Sequence, residues 1–207
     1  MKNLSFLFLL FILLFSCSEE KKATKIVGLQ ALNFFPNFYT DSIASAIKRV
    51  YGLPTAVLEK KQLPEQYFIT HKSPRYRADS IIRMLNSEMP DSVFQILGLT
   101  CVDISTNHKD ENGVTYEPKA FYENWAVFGL SNLGSPGSVV STNRIQGPNQ
   151  KLVIERIQKA GLHHLGHNLG LKHCNNKNCI MRGAAESVTM IDSVNMKLCD
   201  ACKKQLH

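Results

Sequence analysis

Three histidines set the chemistry that this chain can attempt. His163, His167 and His173 stand at i, i+4 and i+10, with Gly170 three residues after the second. On a helix, positions i and i+4 lie one above the other, so His163 and His167 can direct imidazoles at one ion. Gly170 can take the left-handed backbone that stops a helix, and the returning chain would deliver His173 as a third ligand. Three neutral imidazoles around Zn²⁺ leave a fourth position open, which separates a zinc site that does chemistry from a purely structural one. Four cysteines follow: Cys174, Cys179, Cys199 and Cys202, with Met181 between the pairs. Two readings of them stand. Four thiolates from two short pairs suit a tetrahedral structural zinc with metal–sulfur distances of about 2.3 Å. In an exported protein, Cys174–Cys179 and Cys199–Cys202 could instead be disulfides.

The run His163-His164-Leu165-Gly166-His167-Asn168-Leu169-Gly170-Leu171-Lys172-His173 resembles the metzincin pattern H-E-x-x-H-x-x-G-x-x-H with its later methionine turn. One letter departs: His164 stands where the pattern has Glu. Four residues separate Cys174 from Cys179, one separates Cys179 from Met181, and seventeen separate Met181 from Cys199. That spacing resembles the archaemetzincin family in particular. Trp125-Ala126-Val127-Phe128-Gly129 and Ser138-Val139-Val140-Ser141 are weaker matches to strand segments of the same family, so the resemblance spans Cys101 to Cys202.

The resemblance implies two zinc ions, one catalytic on His163, His167 and His173, the other structural on Cys174, Cys179, Cys199 and Cys202. Met181 would lie beneath the catalytic ion, with an ordinary core methionine as the plain alternative. The implied fold is α/β (α+β): a mixed twisted sheet with an antiparallel edge strand, an active-site helix and a Met-turn. Trp125, Val127, Phe128 and Gly129 would belong to that edge strand, to which a substrate peptide adds by main-chain pairing. A loop-covered edge strand is the plain alternative. The implied reaction is zinc-dependent peptide-bond hydrolysis, of endopeptidase or aminopeptidase type. In such an enzyme the motif Glu takes a proton from water and later gives it to the leaving amine. Imidazole, with a pKa of about 6.5, is also a competent base, so His164 is the residue for proton transfer if any does it. Two other roles stay open for His164: a fourth ligand that closes the site, or a mark of a peptide-binding relative without turnover. Loss of positioned acid–base help costs on the order of 10²–10⁴ in rate.

Elements must place these residues. Gly147 and Pro148 break the chain, and Asn149 can cap a helix running to Leu169, with Val153, Ile154, Ile157, Gly161 and Leu165 on its buried face. Trp125–Leu130 reads as one strand, Ser131–Gly137 as a Gly/Pro turn, and Ser138–Ser141 as the next strand. Further upstream, Lys25–Leu32 reads as a buried strand and Asp41–Tyr51 as a helix with Asp41 near its cap. Thr55–Leu58 reads as a strand, Arg77–Asn86 as a helix and Val93–Leu99 as a strand. This βαβαβ opening predicts a parallel sheet with helical crossovers. Asn107–Glu123 is polar and irregular, an insertion loop, and Cys101 is a leftover thiol in or beside the Val93 strand.

The chain has 207 residues and is 44% hydrophobic, enough for one domain with a real core, placed at residues 25–207. A formal charge of +7 comes from scattered basic residues with no nucleic-acid motif, so no nucleic-acid partner is expected. Lys2 and the twelve-residue run Leu4–Phe15 read as a signal peptide over residues 1–16, too short to span a bilayer comfortably. Leu14-Phe15-Ser16-Cys17 looks like a bacterial lipobox, which implies a lipidated Cys17 and a tether over residues 17–24. A plain signal-internal cysteine is the alternative. The expected partners are a peptide or protein substrate and, through the anchor, a membrane. The expected setting is a monomer on the bacterial cell envelope, periplasm-facing or at the surface.

Overall fold

The computed structural model describes residues 25–110, 112–183 and 187–206. The leader, Cys17 and the tether lie outside the described residues.

The main sheet has five strands: β1 (Val27–Ala31), β2 (Thr55–Val57), β5 (Gln95–Thr100), β8 (Gly129–Ser131) and β9 (Gly137–Ser141). Their spatial order is β2-β1-β5-β9-β8. All neighbours are parallel except β8, which runs antiparallel to β9 at the edge. The predicted parallel opening is therefore observed. Helices cover both faces, as a parallel sheet requires. Helix α1 (Asn37–Tyr51) and the long α4 (Gln150–Asn168) pack with Val27, Leu29, Leu97, Leu99 and Val140 in one core. Helix α2 (Ala78–Ser87) packs on the other face with Ile96 and Val139. Ile96 and Leu97, like Val139 and Val140, thus point to opposite faces, following the two-residue period of a strand.

A second, four-stranded sheet was not legible in the sequence. It comprises β3 (Phe68–Ile69), β4 (Arg75–Arg77), β6 (Ile104–Thr106) and β7 (Trp125–Val127), in that order. Strands of two or three residues are too short to show any periodicity. Asp103 ties this sheet to the main one. Its carboxylate accepts from Arg75 Nε (2.8 Å) and from Arg144 Nε and Nη2 (both 2.7 Å), while Arg75 Nη1 also donates to Asn124 O. Burial raises the Asp103 pKa, but the two guanidiniums outweigh it and hold the carboxyl below its ordinary value.

Several boundaries differ from expectation. The strand expected over Trp125–Leu130 breaks at Phe128. Its first half pairs with β6 in the small sheet, and only Gly129–Ser131 forms the edge of the main sheet. Helix α1 starts at Asn37 behind Pro36, so Asp41 sits inside the helix and not at its cap. Proline before the first turn sets an extended entry with no side-chain cap, a signal as good as an acidic residue. The insertion loop contains a short helix, α3 (Lys119–Tyr122). Beyond α4, the chain forms α5 (Val188–Ser193) and α6 (Asp200–Lys203). Among the described residues, no helix is long and apolar enough to cross a membrane.

Candidate metal centres and active-site cleft

Helix α4 presents the histidines. Asn149 caps it as expected, its side-chain oxygen accepting from Leu152 N at 3.0 Å. Val153, Ile157, Gly161 and Leu165 are buried, whereas Ile154 is only half-buried and falls outside the stripe. The helix ends where Gly170 takes φ +89°, with Gly170 N donating to His167 O and Leu171 N to Gly166 O, both at 2.9 Å. This left-handed residue turns the chain so that His173 comes back beside the helix. The ring centroids of His163 and His167 are 4.6 Å apart, and that of His173 lies 5.4 Å from the first and 4.8 Å from the second. One nitrogen from each can be chosen so that all three lie within 4.8 Å of one another.

Hydrogen bonding fixes which nitrogens are free. His163 Nδ1 lies 2.9 Å from Ile180 O, and His167 Nδ1 lies 2.8 Å from Leu171 O. A carbonyl can only accept, so both Nδ1 atoms carry the proton and donate. In the neutral rings, both Nε2 atoms then expose lone pairs, yet they face each other at 3.0 Å. No hydrogen bond can join two acceptors. A cation bridging them resolves the arrangement, and backbone carbonyls behind ligand histidines are the support such sites use. Protonation is disfavoured throughout. Burial, with the charge of His167 adding, pushes His163 down to about 4 against the pull of the Ile180 carbonyl. Burial also lowers His167 and His173. The three rings therefore present the neutral form that binds zinc.

Met181 is fully buried, and a Cβ built on Gly166 would lie 2.8 Å from Tyr51 Oη and closer still to Met181 Sδ. The thioether thus packs against bare helix backbone at Gly166, three residues after His163 and directly before His167. A mid-helix glycine costs about 1 kcal/mol against alanine, so Gly166 is the sequence signal for this close approach.

The thiols form the second group. Cys174 Sγ lies 3.6 Å from Cys199 Sγ, and Cys179 Sγ lies 3.7 Å from Cys202 Sγ. These are the separations expected along the edges of a tetrahedron whose centre is about 2.3 Å from each sulfur. All four are free thiols and all fall within one 4.8 Å group. The contacting pairs cross between the two halves of the motif, so they are not the sequence-adjacent pairs that the disulfide alternative needs. The Cys202 backbone N–H, with the neighbouring thiols, holds Cys199 down to about 7, while burial raises Cys179 and Cys202. Cys101 is half-buried just after β5, beside the strand as expected.

His164 stands apart from both groups. Its Nδ1 lies 3.0 Å from Ser131 Oγ, and its Nε2 edge rests on Gly129, where a Cβ would meet Cδ2 at 2.5 Å. The ring is wedged between α4 and β8, and it is not one of the convergent ligands. Burial and the neighbouring histidines lower its pKa, so it is neutral. Strand β8 is also where a peptide could pair. Ser141 N donates to Phe128 O at 2.8 Å, and the antiparallel register sets Gly129 opposite Val140 and Ser131 opposite Ser138. Alternation then turns the main-chain groups of Leu130 inward to β9 and those of Gly129 and Ser131 outward.

An open cleft of about 620 Å³ runs along this edge. Its walls include Trp125, Val127, Phe128, Gly129, Leu130 and Ser131, and its floor holds His163, His164, His167 and His173. All four expected ledge residues therefore line the cleft, although only Gly129 belongs to the edge strand. Ser131, His108 and Arg144 join them unforeseen.

A helix carrying two imidazoles, a glycine turn delivering a third, a methionine beneath and an antiparallel edge strand above define a metzincin-type zinc metallopeptidase. Comparison with known proteins narrows the class: the chain belongs to peptidase family M54, whose model matches residues 24–207. It is similar to the archaemetzincin of Haloquadratum walsbyi, 29% identical over 191 residues that cover 88% of this chain and 99% of that one. The crystal structure of archaemetzincin from Methanopyrus kandleri superposes with a TM-score of 0.70 at 26% identity, covering 90% of this chain and 95% of that one. The archaemetzincin of Archaeoglobus fulgidus has the same fold, with a TM-score of 0.68 at 24% identity over 87% of this chain and 99% of that one.

Proposed function

We propose that this M54 peptidase hydrolyses peptide bonds at His163, His167 and His173, with reduced turnover because His164 replaces the motif Glu. The observation that carries the reading is the pair of Nε2 atoms facing each other at 3.0 Å while both Nδ1 atoms donate to backbone carbonyls. The three imidazoles would hold a catalytic zinc and the four thiolates a structural one. When bound, the catalytic ion supplies Lewis-acid polarisation of a carbonyl and acidification of water. The remaining tasks belong to the chain. Gly129 and Ser131 offer outward main-chain groups to align a peptide along the cleft. Among the described residues that line the cleft, His164 is the group proposed to accept a proton, its Nδ1 lying 3.0 Å from Ser131 Oγ.

Peptide cleavage by three proteins tests this. Weak activity is expected of the wild type, more from His164→Glu by on the order of 10²-fold, and none from His167→Ala. An inert wild type restored by His164→Glu would instead identify a peptide-binding relative without turnover. No cleavage by either would mean that the cleft is unsuited to proteolysis.

The chain is further proposed to be a lipoprotein of the cell envelope, anchored through Cys17. Support comes from the Leu14-Phe15-Ser16-Cys17 run and from a family match that begins only at residue 24. Acyl chains contribute about 0.8 kcal/mol per buried methylene, so Cys17→Ala is expected to move the protein from the membrane to the soluble fraction. Unchanged fractionation would remove the anchor from the proposal.

A further inference from the structure

Five rings gather where the loop between β6 and β7 folds over the small sheet: His108, Tyr116, Phe121, Tyr122 and Trp125. Trp125 is the hub. Its centroid lies 5.4 Å from those of His108 and Phe121 and 5.8 Å from that of Tyr122, to which it is stacked at 27°. Tyr116 closes the group, 5.1 Å from His108 and 5.4 Å from Tyr122. These separations suit favourable aromatic pairing, so the rings support one another. They do not bury one another: Phe121 is 59% exposed and Tyr116 44%. Single exposed apolar residues need no explanation, but a contiguous aromatic patch beside a cleft does.

The patch is continuous with the metal site. Trp125 and His108 line the same cleft as His163, His167 and His173. From Trp125 the wall runs through Val127 to Gly129, at most about 13 Å of extended chain, so a side chain on the patch lies within about four residues of the scissile bond. The cleft offers a charged group few partners among its described lining residues. Among the described residues no carboxylate lines it, and Arg144 is already engaged by Asp103 through two bonds of 2.7 Å.

We propose that this cluster is a substrate subsite that takes an aromatic or large aliphatic side chain of a peptide lying along β8. The inference rests on the peptidase reading and names the substrate class for the same site.

Trp125 is the only tryptophan in the chain, so its fluorescence reports occupancy of the subsite without turnover. The purified full chain would be titrated with blocked octapeptides, all alanine and serine, in which one phenylalanine is moved through each position. Burying a phenyl ring predicts binding at least about tenfold tighter than the parent peptide for one register of the series. In Phe121→Ala/Tyr116→Ala, which alters only exposed rings, that preference is expected to fall to within about twofold, with zinc content unchanged and thermal stability lowered only by the lost ring pairing. A phenylalanine series that binds no better than the parent, or a preference that survives in the double variant, overturns the subsite. Cleavage of the same peptides is read separately. Aromatic-selective binding without cleavage contradicts the peptidase and leaves the subsite standing. Cleavage without aromatic preference does the reverse.

Discussion

His164 is where this chain departs from the metzincin pattern, and Gly129 is the residue that accommodates it. The Nε2 edge of the imidazole rests on the Gly129 backbone, and its Nδ1 is within hydrogen-bonding distance of Ser131 Oγ. Adding a methyl group at 129 would push it into both the ring and the Val139 carbonyl, the latter at 2.8 Å. Overpacking of this kind costs about 1–3 kcal/mol. Gly129→Ala is therefore expected to lower unfolding stability by that amount in the wild type and by clearly less in a His164→Ala background, since only the Val139 contact remains. A denaturant double-mutant cycle measures the difference, and equal losses in both backgrounds would show that the ring and the glycine are not coupled. His163, His167 and His173 were legible because ligand spacing is a property of side chains. The acceptors behind them, Ile180 O and Leu171 O, were not, because every residue has a carbonyl and only the fold selects one.

At the scale of elements, the two metal groups are one piece of chain. His173 and Cys174 are consecutive. Cys179 supplies a thiol, Ile180 the carbonyl that accepts from His163 Nδ1, and Met181 the thioether packed at Gly166. Cys174 N also donates to Met181 O at 2.7 Å, closing the loop on itself. Removing one thiolate should therefore reach the histidines. Cys199→Ser, a change to a residue outside the histidine group, is expected to take bound zinc from the proposed two ions per chain to fewer than one by metal analysis. Retention of a full equivalent, with unchanged peptide cleavage, would show that the sulfur site is structurally independent. The same scale shows what the pattern could not reveal. Trp125-Ala126-Val127-Phe128-Gly129-Leu130 is an unbroken apolar run with no proline and its only glycine late, so one strand was the natural reading. The division at Phe128 arises because two sheets compete for the segment, β6 pairing with its first half and β9 with its second.

For the molecule as a whole, the order β2-β1-β5-β9-β8 explains why the site lies where it does. The parallel strands and the helices on both faces form a rigid slab. Reversing direction at β8 ends the sheet with an edge whose main-chain groups face the floor of α4. The opening βαβαβ was readable from hydrophobic pattern and helix signals, since buried parallel strands are long apolar runs. The small sheet was not, and it is this sheet, braced by Asp103 between Arg75 and Arg144, that carries Trp125 into the wall of the cleft.

Zinc-edge anomalous diffraction from crystals of the purified protein tests the convergence of the ligands without reference to activity. Two peaks are expected. One should lie about 2.0–2.1 Å from the Nε2 atoms of His163 and His167 and from a ring nitrogen of His173, the other about 2.3 Å from the four sulfurs. A peak at the sulfurs alone, with the three imidazoles turned away from a common point, would contradict the account.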